Sequence, residues 1–200
     1  RNFGRDVSFL NKHVKTIVLG DSSDGPRVAV VPAYQGRVMT STATGDNGTS
    51  YGWINYEHIA SGKTVPQINV YGGEERFWLG PEGGQFSIFF KPGAKFDFAQ
   101  WQTPAVIDTA DFDIVSASSR KAIFRHQATL KNYSDTTFRL RIDREVELLS
   151  EEAIRQSLNL DSEPITAVGY RTTNRLKNVG SEDWSKTNGL LSIWLLGMYK

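Results

Sequence analysis

The chain has 200 residues, 23 basic and 22 acidic side chains and a formal net charge of +1, so it lacks the strong field that gathers nucleic acid or an anionic membrane surface. Hydrophobic residues make up 39% and charged ones 22%, a mixture that excludes a disordered chain, a coiled coil and a collagen-like repeat. Cys is absent, which excludes disulfides, thiol nucleophiles and Cys-ligated metals, and a chain of this length buries a sizeable core without such staples.

The chain opens Arg1-Asn2-Phe3-Gly4 without an initiator Met, which predicts that something was removed before residue 1, a signal segment being one reading. Short β-rich runs at residues 16–19 and 28–31 predict the first strands, followed by the turn cluster Gly45-Asp46-Asn47-Gly48. Between Tyr71 and Trp101 lie nine of the 23 aromatics, and six of the 18 glycines fall between Gly72 and Gly93. That density predicts a purposeful folded loop, with a strand at 86–90 and a turn at Lys91-Pro92-Gly93.

Period-two patterning then takes over. Residues 121–130 place Ala122, Phe124, His126, Ala128 and Leu130 on one face. In residues 138–148 the even positions are apolar except Arg144, and the odd ones are all charged, the mark of a half-buried strand. The intervening Asn132-Tyr133-Ser134-Asp135 makes the pair a hairpin. One stretch alone reads as helical: Ser150 caps it, Glu151 and Glu152 suit its positive end, and Ile154 and Leu158 fall four apart. Strands are predicted again at 165–176 and 190–196, the latter apolar enough to be buried on both faces and hence to need a neighbour on each side. Many strands without βαβ alternation mean an all-β antiparallel sandwich or barrel with little helix. The longest apolar stretch, residues 193–199, is far short of the roughly 20 residues of a membrane helix.

The chemistry-bearing segment reads Asn69-Val70-Tyr71-Gly72-Gly73-Glu74-Glu75-Arg76-Phe77-Trp78-Leu79-Gly80-Pro81-Glu82-Gly83-Gly84. Two readings are open. Carbohydrate sites combine an aromatic plane for the C–H face of a sugar with carboxylate and guanidinium groups for its hydroxyls; equally, a glycine-rich turn can pack its aromatics in the core and pair its charges. His13 and His58 have no metal-ligand spacing, Asp21, Asp24 and Asp46 lack that of an EF-hand, and no phosphate loop or nucleophile elbow is present. No metal motif and no cofactor is therefore expected, and the sequence does not set whether distant loops bind calcium.

The 69–82 segment resembles the corresponding part of the galactose mutarotase-like (aldose 1-epimerase) superfamily. Residues 27–42 with Gln35-Gly36-Arg37 resemble its early strand pair, residues 120–149 its middle meander, and residues 170–180 its strand ending in Asn-x-Gly. The resemblance implies an antiparallel β-supersandwich with a mono- or oligosaccharide on its concave face, the 200 residues forming the N-terminal half to two-thirds of one domain. It also implies a departure from the family pattern. The family's catalytic His before the double glycine is Tyr71 here, no His exists near 190–199, and the general-base Glu would lie beyond Lys200.

Tyr71 and His126 are accordingly the candidate acids, and Arg37, Glu74, Arg76, Trp78, Glu82 and Arg144 the candidate sugar-binding groups. Each has a plainer role open to it: His126 as a core-edge imidazole, Arg144 in a buried ion pair, Trp78 as a core anchor. The expected protein is carbohydrate-binding or carbohydrate-active, with a non-catalytic glycan- or protein-binding module as the alternative. No nucleic acid or membrane partner is expected, the sequence does not set the oligomeric state, and a glycan-related fold points to the periplasm or outside of a bacterium.

Overall fold

The hairpin predicted at 121–148 is the longest feature of the computed structural model, which describes residues 1–160 and 164–200. Nine strands occur among the described residues: β1 (Ile17–Leu19), β2 (Arg27–Val31), β3 (Arg37–Thr42), β4 (Arg76–Gly80), β5 (Asp113–Ala117), β6 (Lys121–Lys131), β7 (Thr137–Leu148), β8 (Tyr170–Asn178) and β9 (Ser192–Leu196). They form three antiparallel sheets, β1-β2-β3, β4-β9 and β5-β6-β7-β8, an all-β, sandwich-like fold.

In the four-stranded sheet the alternation works as read: Ala122, Phe124 and Leu130 of β6 and Phe138, Leu140, Ile142, Val146 and Leu148 of β7 are all buried. The register pairs Phe124 with Arg144 and His126 with Ile142. At the connecting turn Asn132 accepts from the Thr136 N–H through Oδ1 and donates to the Asn188 carbonyl through Nδ2, so one buried amide closes the hairpin and ties down the approach to β9. Across the core, the backbones of Val38 and Glu75 exchange two hydrogen bonds of 3.2 Å and join the first sheet to the head of β4. Phe77, Trp78 and Leu79 of β4 thereby reach the same core as Val28, Val30 and Val38.

Four α-helices are present among the described residues, where the sequence reading had one: α1 (Phe3–His13), α2 (Tyr56–Ser61), α3 (Ala105–Asp108) and α4 (Glu151–Leu158). The predicted α4 stands as read, with Ser150 accepting from the Ala153 N–H. α1 escapes a periodicity reading because its buried face is Phe3, Asp6 and Leu10, one of them a carboxylate. Asp6 is fully buried and accepts from Ser50, Tyr56 and Lys200 at 2.6, 2.6 and 3.1 Å, which replaces the water it has lost.

Further corrections concern strands. Residues 86–90 are not a strand but a bent segment, in which the Ile88 N–H donates to the Pro81 carbonyl and the Phe89 N–H to the Ser87 hydroxyl. Its run of buried Ile88, Phe89 and Phe90 mimics a central strand because all three face the core. Conversely, part of the expected loop is the buried strand β4. The strand expected at 165–176 begins only at Tyr170. That at 190–196 is β9, which among the described residues pairs with β4 alone and leaves Ile193, Trp194 and Leu195 exposed instead of buried on both faces. No helix among the described residues is long and apolar enough to cross a membrane.

Candidate functional site

The double glycine places the candidate residues. Gly72 and Gly73 have φ of +91° and +109°, and a Cβ would lie 2.2 Å from the Trp53 carbonyl oxygen at the first and 2.8 Å from Arg37 Cδ at the second. Only glycine permits the chain to turn so tightly there. The turn sends Tyr71, Glu74, Glu75 and Arg76 into different surroundings.

Glu75 faces Arg144. The guanidinium of Arg144 is 1% exposed and donates from Nη1 and Nη2 to the two carboxylate oxygens of Glu75, from Nη1 also to Asn174 at 2.6 Å, and from Nε to the Gly36 carbonyl at 2.9 Å. This forked pair joins the two layers of the sandwich. Arg76 takes the other direction, donating to Asp108 at 2.7 Å and to the Ile107 carbonyl at 2.8 Å, with its guanidinium carbon 4.3 Å from the Trp78 ring centre. Arg37 is equally buried but touches no carboxylate: it donates to the Gly72 carbonyl and to Gln35 at 3.0 and 3.3 Å. Burial, followed by the nearby Arg76 cation, pushes the Arg37 guanidinium well below its ordinary range.

Trp78 is 1% exposed and donates its indole N–H to Glu82 at 2.8 Å. His126 lies parallel to Phe112, the ring centres 5.1 Å apart. Tyr71 stacks on Tyr34 at 4.0 Å and has His58 5.0 Å from its ring centre. Of the eight candidates, then, Arg37, Arg76, Trp78 and Arg144 are bound into the protein interior, Glu82 holds Trp78, and His126 sits against Phe112.

Glu74 has the surroundings of a ligand site. It is 2% exposed, accepts from the Ser41 N–H at 2.6 Å and from the Ser41 hydroxyl at 2.9 Å, and lines a cavity of about 540 Å³ together with Tyr51, Tyr170, Tyr199 and Lys200. Burial raises the Glu74 carboxyl above its ordinary value, against the opposing pull of the Ser41 and Tyr170 hydrogen bonds. Burial and the Glu74 charge in turn raise the Tyr170 phenol, which stays protonated at neutral pH. A carboxyl that can hold a proton, three phenols and an ammonium converge on one opening. Sequence reasoning missed Tyr51, Tyr170 and Tyr199 because they come from three separate stretches of the chain and share no motif with Glu74. Tyr71 lines a different cavity, of about 260 Å³, beside Tyr34 and His58. No three His, Asp or Glu side chains among the described residues converge as a metal cage requires.

Among known proteins, residues 1–200 match the family described as "Family of unknown function (DUF6786)". No curated protein and no solved structure matches the chain. A match that runs the whole length of the chain settles the family: the protein belongs to DUF6786.

Proposed function

We propose that the protein is carbohydrate-binding or carbohydrate-active, resembling aldose 1-epimerase in framework and departing from it in its acid–base groups, and that the Glu74 cavity holds the sugar. One observation carries this reading: the buried Glu74 carboxyl opens onto about 540 Å³ lined by Tyr51, Tyr170 and Tyr199. Tyr51 and Tyr199 are 38% and 63% exposed, so their ring faces are available to the C–H surface of a pyranose. Glu74 accepts from hydroxyls when ionised, and burial favours its protonated form, which donates.

A second reading, a binding module without turnover, is favoured by the count of carboxylates. Glu74 is the single carboxylate among the described residues lining the cavity, whereas glycoside hydrolysis in its usual form needs two.

Proton NMR with a panel of hexoses, pentoses and uronic acids separates the readings. Saturation transfer together with accelerated anomer exchange, both lost in Glu74→Gln, is the expected result for an epimerase-like activity. Transfer without acceleration identifies the binding module. Tyr199→Ala is expected to weaken binding by about 0.5–1.5 kcal/mol. No transfer from any sugar overturns the proposal.

A further inference from the structure

The cavity of about 260 Å³ beside Tyr71 lies between the end of α1, α2 and the Tyr34 turn, and its polar lining consists of His13, Tyr34, His58, Lys63 and Tyr71. Apart from His58, these groups have no hydrogen-bond partner among the described residues. The hydroxyls of Tyr34 and Tyr71, the Lys63 ammonium and the ring nitrogens of His13 make no hydrogen bond or ion pair with any described residue. These groups reach the solvent at the cavity opening and none is used by a described residue, so their hydrogen-bonding capacity is free for a ligand there. Both tyrosines are only 7% exposed.

The chemistry of that lining can be specified. Burial raises both the Tyr34 and the Tyr71 phenols, so they remain O–H donors through the neutral range. Lys63 donates as well, and no carboxylate lines the cavity among the described residues. The Arg37 guanidinium lies 5.8 and 5.6 Å from the centres of the two tyrosine rings, and its charge is countered at Tyr71 by that of the Asp108 carboxylate.

His58 supplies an acceptor, and its tautomer follows from Asn69. The Asn69 amide nitrogen donates to the Val65 carbonyl at 3.0 Å and to Asp108 at 2.6 Å, while its oxygen accepts from the Val65 N–H at 2.8 Å. The same oxygen lies 3.1 Å from His58 Nε2, which must therefore carry the proton. In the neutral ring Nδ1 is left with its lone pair and with no partner among the described residues.

We propose that this cavity is a second binding site, for a small hydroxylated carboxylate of sugar-acid size or less. The carboxylate receives the Tyr34 and Tyr71 O–H groups and the Lys63 ammonium; a ligand hydroxyl donates to His58 Nδ1. The volume is below the usual range for drug-sized ligands and sets the size limit. The site is independent of the Glu74 cavity, which shares none of these lining residues.

Calorimetric titration of the full chain with D-glucuronate and D-gluconate, with D-glucose and propionate as the counterparts lacking one or other group, tests it. At least one of the two acids is expected to bind at least tenfold more tightly than both counterparts. Tyr71→Phe removes one charge-assisted hydrogen bond and is expected to lower that affinity about tenfold or more. Its melting temperature should not fall, because the lost hydroxyl has no protein partner. Lys63→Gln, at the exposed rim, repeats the affinity test without touching the interior. Tyr199→Ala in the other cavity should leave acid binding unchanged, so failure of sugar binding there is read separately. The proposal is overturned if neither acid binds, if glucose or propionate binds as well as the acids, or if Tyr199→Ala abolishes acid binding while Tyr71→Phe and Lys63→Gln retain it.

Discussion

The layer around Arg144 and the cavity beside Tyr71 both gather polar groups on largely buried residues, and they use them in opposite ways. Arg144 spends its donors on Glu75, Asn174 and the Gly36 carbonyl. Tyr34 and Tyr71 donate to no described residue. A charge whose partners are all protein joins the sheets, whereas a hydroxyl without partners has its binding capacity in reserve. The Glu74 cavity stands between these extremes: its carboxylate is anchored on Ser41 yet faces an opening.

The strongest way to break the comparison is at the ion pair. Glu75→Ala leaves the Arg144 cation buried and uncompensated, and should destabilise the protein by about 3–5 kcal/mol in urea unfolding. Replacing Arg144 with Met in the same chain should restore part of that loss; a loss of under about 1 kcal/mol in the single variant would show that the pair is not the joint described here. Trp78→Ala belongs at the same end of the scale, at about 3–5 kcal/mol, because the indole is 1% exposed and packs against Phe89.

Glu74 gives a dependence on pH in place of a fixed loss. Its folded pKa is raised above the ordinary value of 4.5, so the folded state holds its proton more tightly than the unfolded chain. The Glu74 contribution to stability is then greatest below the ordinary value and is lost as pH rises through the folded pKa. Compared with Glu74→Gln, the native protein should lose stability across that interval and run parallel to the variant above it. A difference that grows in the native protein's favour as pH rises would reverse the assigned direction. Smaller still is Tyr34→Phe, which removes a hydroxyl without a protein partner and should change unfolding free energy by no more than about 0.5 kcal/mol. Lys131→Ala, breaking the exposed pair with Asp135, should likewise cost about 0.5 kcal/mol or less.

The legible parts of the fold are those in which a single period governs the residues. β6, β7 and their turn could be read directly because one face meets the core and the other meets water, so polarity alternates with the pleat. β4 and the bent segment at 86–90 could not be distinguished that way, since β4 is buried throughout, the bent segment is buried from Ser87 on, and their side chains carry no alternation. α1 was hidden for a third reason: the fully buried Asp6 breaks the apolar stripe, and it is tolerated only because Ser50, Tyr56 and Lys200 arrive from distant parts of the chain.

The candidate site divides similarly. The 69–84 segment stands out in the sequence by combining paired glycines with aromatics and charges, and Arg144 as the misfit on an apolar face. Which of those charges pair with one another was invisible, because Glu74 and Glu75 are adjacent in sequence and successive side chains of an extended chain point to opposite sides. One meets Ser41 and the tyrosines, the other Arg144. Likewise, His58 lies among polar residues in the sequence and acquires a defined tautomer only when Asn69, fixed by Val65 and Asp108, is folded against it.

By itself, then, the sequence determined the all-β class, the long hairpin, the capped helix α4 and the glycine-rich stretch around which the polar chemistry gathers, since each is a matter of local periodicity, capping or backbone freedom. Tertiary structure alone decided which of the candidate charges are structural and which face a cavity. Burial and pairing depend on contacts between residues far apart in the chain, such as Glu74 with Tyr170 and Glu75 with Arg144, and no local pattern encodes those distances.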